Sequence, residues 1–215
     1  MSANIRFGYI AGIFVAYLVG LAAYPRLPEP FCEYGCTMAL ARPLIAFALP
    51  SAIAVIVFFL SMLWNRDPIR DRDAHTEATY HAVIRTVVLF LLALHVAVLF
   101  ALTSGLRPDV VRAVAHVIPV MFGLTLIVIG NLLPRFRPNI VIGIRTSRTL
   151  TDRAAWAHTN RVAGYATMGT GVMFLFGGLL PSLPVMEFAT AAVVIVVATL
   201  AWNTWRSRHA SNAAV

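Results

Sequence analysis

Six apolar runs of about twenty residues each leave this chain few ways to fold. They occupy residues 6–24, 44–64, 81–105, 110–134, 162–181 and 183–202. A helix of roughly 20 mostly apolar residues crosses a hydrocarbon core about 30 Å thick. The expected fold class is therefore all-α: a polytopic integral membrane protein with about six transmembrane helices. Composition agrees. Hydrophobic residues make up 60% of the chain and charged residues only 12%, against about 45–50% and about 25% in a soluble domain. The first run is longer than the apolar core of a signal peptide, so it is read as a retained helix.

Orientation follows from the basic residues, all of which are arginine. Arg6, Arg66, Arg70, Arg72, Arg135, Arg137, Arg145, Arg148, Arg153, Arg161, Arg206 and Arg208 fall at one set of loops and ends. Arg26, Arg42, Arg107 and Arg112 fall at the other. The excess places both termini in the cytoplasm. Two halves result: a three-helix membrane half over 1–105 with an outer loop at 25–43, and a second half over 106–215 with a cytoplasmic loop at 134–161. The net charge of +8 sits in short loops. Lipid headgroups explain it more simply than direct nucleic-acid binding.

Cys32 and Cys36 lie in the outer loop. Their spacing fits neither a zinc pair nor a haem attachment site. A disulfide is one reading in an extracytoplasmic loop, and two unpaired small residues the other. Asp71, Asp73, His75 and Glu77 superficially resemble metal ligands, but the loop around them alternates in charge like a solvated segment. No metal or cofactor is expected. No nucleophile, phosphate-loop or zinc-protease motif marks an enzyme.

Polar groups within the runs are costly there. His95 and His116 fall on the third and fourth runs, which a short turn makes antiparallel neighbours. Structural hydrogen bonding is the plainer reading for them. A polar path that also includes Asn131, as in a small-solute or ion transporter or channel, is the sharper one.

The stretch "NLLPRFRPNIVIGIRTSRTL" (131–150) joins the fourth and fifth runs and contains no acidic residue. Pro134 discourages further helix and Pro138 restricts its predecessor, so a stiff bend is expected. A short helix should follow over "TLTDRAAWAHTNR", with Thr149 and Asp152 in a capping pattern and Trp156 as an interfacial anchor. Charge alone would hold such a loop inside; it would not call for this pattern of Asn, Pro, Gly and Trp. A lipid-directed enzyme is a third reading. It would set Asn139, Arg145 and Arg161 on a phosphate, with His158 as base and Asp152 orienting it.

The pattern resembles the SdpI family of bacterial membrane immunity proteins. Gly130, Asn131, Leu133, Pro134, Arg135, Arg137, Pro138 and Asn139 match the first block of its signature. Gly143, Ile144, Arg145, Thr146, Thr149, Leu150, Trp156, Thr159, Asn160, Arg161 and Gly164 match the rest. Ser147 and Arg148 replace the usual Pro-Trp. "YPRLPEPF" resembles the start of a domain that often precedes the signature, whose His-and-Gly segment is replaced by "CEYGCTMALARP". The resemblance implies a multi-pass protein of the bacterial cytoplasmic membrane that protects its cell from a secreted peptide toxin. In some members it implies holding a transcriptional repressor at the membrane. The 134–161 loop would then meet partner or lipid.

Overall fold

A computed structural model describes residues 3–27, 41–69 and 74–180, together with isolated helical positions at Glu187, Ala191, Val194, Ile195, Ala198 and Trp202. The sixth apolar run lies largely outside the described residues. So do Cys32, Cys36, Arg70, Arg72, Asp71, Asp73, Arg206 and Arg208.

The protein is an all-α polytopic membrane protein. Its helices are α1 (Ala3–Ala23), α2 (Ala41–Arg66), α3 (Ala74–Thr103), α4 (Pro108–Leu132), α5 (Ser147–Thr151) and α6 (Arg153–Leu179). Five of them, all but α5, are long and apolar enough to cross a bilayer. Single 3-10 turns extend α1 at Tyr24–Arg26 and α4 at Leu133–Arg135, each with a proline in its first positions. At 1.5 Å per residue, the 30 residues of α3 reach about 45 Å, well beyond a hydrocarbon core. Exposed Phe14, Phe58, Phe100 and Phe176 are normal for a surface solvated by lipid.

Two compact units divide the chain: Met1–Met62 with Ile84–Ile118, and Leu63–Val83 with Pro119–Val215. In the first, Leu27, Ala46 and Leu99 are buried among Val19, Phe47 and Leu102. Pro50 stands inside α2 and has no N–H to give the Ala46 carbonyl. Gly20 of α1 meets that same carbonyl, and a Cβ there would lie 2.5 Å from its oxygen. The freed acceptor thus faces a Cα–H. The Tyr17 hydroxyl pairs with Ser51 Oγ at 2.7 Å, which closes the α1–α2 contact with a polar bond.

In the second unit α4 and α6 run antiparallel through a glycine seam. A Cβ on Gly123 would stand 2.5 Å from the Gly171 oxygen, and one on Gly171 2.6 Å from the Gly123 oxygen. Seven residues on, Gly130 and Gly164 repeat the relation at 2.7 and 2.6 Å. Small residues let backbones approach this closely in lipid. Phe122 and Phe174 meet edge to face beside the seam, with centroids 4.9 Å apart. Thr125, Thr167 and Thr170 satisfy their hydroxyls on carbonyls four residues back.

Helix ends depart from the apolar runs. The third run begins at 81 and α3 at Ala74; the fifth begins at 162 and α6 at Arg153. Hydropathy marks where a helix must be apolar, and these helices continue as polar turns beyond that. The short helix expected over 149–161 is accordingly two pieces: α5, then the first turns of α6.

Candidate functional site

The segment between α4 and α6 forms an elbow whose main chain is tied down almost residue by residue. The 3-10 turn seats Pro134 on α6, its Cδ and Cγ 3.1 Å from where a Gly164 Cβ would be. Phe136 then turns extended and is buried. Its carbonyl accepts the Trp156 indole N–H at 2.7 Å. Asn139 is fully buried. Its Oδ1 accepts from the amides of Val141 (2.9 Å) and Ile142 (2.7 Å), and its Nδ2 donates to the Arg137 carbonyl (2.9 Å).

Gly143 follows with φ +115°, a region that favours glycine. Space forbids a side chain there as well, since a Cβ would meet Asn160 Oδ1 at 2.5 Å and the Trp156 ring at 2.9 Å. Asn160, also fully buried, accepts from the Ile144 amide at 3.0 Å and donates to the Trp156 carbonyl at 3.1 Å. The Thr149 hydroxyl takes the Thr146 amide at 2.8 Å and donates to the Ile144 carbonyl at 2.9 Å.

Thr146 and Thr149 close a reciprocal capping box on α5. The box therefore starts three residues earlier than the Thr149–Asp152 pairing expected from sequence. Asp152 instead leaves helical geometry and caps α6, accepting from the Ala154 amide at 2.8 Å. Trp156 is likewise not an interfacial anchor. It is 1% exposed and braces the elbow from inside, as its 2.7 Å bond to Phe136 requires. Trp156→Phe keeps most of the ring and strands the Phe136 carbonyl. The expected loss is about 1–3 kcal/mol of stability, read by thermal unfolding in detergent.

A further tie was not apparent from the sequence. Asp67, at the start of the α2–α3 loop, is 2% exposed. Its Oδ2 accepts from the Ile140 amide at 2.7 Å and its Oδ1 from the Ile69 amide at 2.9 Å. The alternating charges around it read as a solvated loop. The Asp-Pro dipeptide (Asp67, Pro68) was the available turn signal. Beside it Trp64 stacks on Tyr80 at 4.0 Å and meets Phe136 edge-on at 6.5 Å. The Trp64 indole donates to Glu77 at 3.3 Å, and Glu77 lies 3.6 Å from His81.

The signature residues thus divide into two sets. Asn139, Gly143, Thr146, Thr149, Trp156 and Asn160 build the frame. Asn131, Arg135, Arg137, Arg145 and Arg161 are exposed on it, while Pro138 and Thr159 are half-buried. The Arg145 guanidinium donates to the Ile140 carbonyl, which braces the loop from the outside.

His95 is buried in α3, beside the main chain of Ala16, and among the described residues its Nε2 has no hydrogen-bond partner. His116 Nδ1 on α4 is buried without one as well. His158 is exposed on α6. Among the described residues no three His, Cys, Asp or Glu side chains are grouped to hold a metal ion.

No curated protein and no solved structure matches the chain. Residues 135–203, which take in the elbow from Arg135 onward and the whole of α6, match the profile of the SdpI/YfhL protein family. Through that segment, about a third of its length, the chain is similar to the SdpI/YfhL family.

Proposed function

We propose that this is a non-enzymatic immunity or sensor protein of the bacterial cytoplasmic membrane, with both termini inside. It protects its cell from a secreted peptide toxin met on the outer side. Its elbow presents arginines to an acidic cytoplasmic regulator. The observation that carries this reading is the division of labour in the family-matched segment: buried amides, threonines and an indole hold the backbone, and guanidiniums stand outside it. A preorganised arginine surface suits carboxylates, to which the planar guanidinium makes paired, directed bonds.

Deleting the gene should sensitise cells to a toxin secreted by neighbours or kin. Unchanged survival across candidate peptide toxins would count against the reading. Arg145→Ala should release a co-purifying cytoplasmic protein while leaving the variant in the membrane.

The orphaned imidazole nitrogens of His95 and His116 favour a second reading, a small-solute or ion transporter. Such atoms are expensive in lipid and are spared that cost by water or a passing ligand. Purified protein in liposomes would then support flux that His95→Ala abolishes; absence of flux would refute it.

A further inference from the structure

We propose that Asn131, Arg135 and Arg161 form a phosphate-binding site for an anionic glycerophospholipid at the foot of the α4–α6 pair. The site is independent of whether the chain confers immunity.

The first observation is unspent charge. Arg135 and Arg161 are exposed, and among the described residues neither guanidinium has a hydrogen bond or ion pair. Carboxylates of the same unit make other bonds. Asp67 holds the Ile69 and Ile140 amides, Glu77 holds Trp64 and lies against His81, and Asp152 caps α6. Both guanidiniums are therefore left to the surface.

The second is placement. Gly130 opposes Gly164, and Pro134 rests on Gly164. Arg161, one turn before Gly164 on α6, is thus level with the 3-10 turn that carries Arg135. A residue turns about 100° around a helix. On α4 that rotation puts Leu124, Val128 and Asn131 in one stripe, about 110° from the glycine seam, and Arg135, one 3-10 step of about 120° on from the seam-facing Pro134, continues it. On α6 Arg161 and Tyr165 form a stripe about 90° from it in the same rotational sense. Because the two helices are antiparallel, equal senses bring both stripes to the same side of the pair.

The third is what lies above the charges. Leu124, Val128 and Tyr165 are 50%, 43% and 65% exposed. They continue both stripes toward the bilayer centre. A free phosphate has no use for them. A phospholipid does: its phosphate would accept from two guanidiniums and the Asn131 amide, and its acyl chain would follow Leu124 and Val128. Tyr165, a turn deeper than Arg161, suits the headgroup boundary where aromatic residues collect.

The test uses the full chain purified in mild detergent and titrated with short-chain phosphatidylglycerol, the same-chain phosphatidylcholine, or inorganic phosphate. Phosphatidylglycerol should bind and raise the unfolding temperature, and the other two should not. Arg135→Gln and Arg161→Gln should each weaken binding on the order of tenfold, the scale of a lost hydrogen bond to a charged group. The double variant should abolish it. Arg107→Gln is the control, since Arg107 pairs with Asp109 at 2.8 Å at the start of α4, and it should bind as the parent does. Equal binding of phosphatidylcholine, or equal competition by inorganic phosphate, overturns the proposal. So does a double variant that retains affinity, or a control that loses it. Should the variants fail to fold, the three-ligand comparison on the parent chain decides alone.

Discussion

Asn139→Ala is expected to disassemble the elbow. The substitution strands two amide hydrogens, those of Val141 and Ile142, and the Arg137 carbonyl. A buried group left unpaired costs about 1–3 kcal/mol; here two partly buried amides and a carbonyl on the exposed Arg137 are released together, the carbonyl at the low end. Losses of that order rival the whole stability of many domains, about 5–15 kcal/mol. The bilayer-crossing helices carry their own backbone bonds, so the damage should be local. Amide exchange of Ile140–Ile144 should accelerate by orders of magnitude, while α4 and α6 stay protected. Asn139→Asp separates the contributions. It keeps the one oxygen that accepts both amides and replaces the donor to Arg137 with an oxygen, so its exchange rates should fall between parent and alanine variant. Full protection in the alanine variant would show that the frame does not depend on this side chain.

Gly130→Leu should be the most damaging change within the membrane. A Cβ at Gly130 would already lie 2.7 Å from the Gly164 oxygen and 2.8 Å from the Met168 nitrogen. Those are backbone atoms, which cannot swing aside as a side chain does. The helices must separate, losing the close contact that substitutes for hydrophobic force between helices in lipid. Overpacking typically costs about 1–3 kcal/mol, and the second glycine pair should open with the first and carry the loss higher. Gly169→Ala is the internal control. It lies on the same helix as Gly164 and Gly171, and a Cβ there meets nothing within 4 Å. It should be neutral, or stabilising by up to about 1 kcal/mol from helix propensity. Unfolding in detergent would check both. Equal behaviour of the two variants would mean that the seam does not hold the pair.

The fold class was legible because a twenty-residue apolar run has few physical outcomes. The five described spanning helices fall on the first five runs. Their ends were less legible, because a helix may leave the bilayer and continue in polar residues, as α3 does through His75 and Glu77 and α6 through Trp156. The elbow's location could be read from its prolines and arginines. The inward role of Asn139, Asn160 and Trp156 could not, because an amide or indole looks equally fit for a partner outside or a carbonyl inside. Only the path of the chain decides that. Asp67 was hidden by its neighbours: within a run of alternating charges, the Asp-Pro dipeptide signals a turn but not that the carboxylate reaches Ile140, seventy-three residues away.

The paired glycines have a mechanical corollary. Two interlocks of the same kind, seven residues apart on both rods, leave no vacant register nearby. A piston stroke of one rod along the other would drive a side chain into a carbonyl before it had travelled a single turn. A relative motion of the two rods that keeps both interlocks closed is therefore a joint tilt, with Pro134 carried along on Gly164.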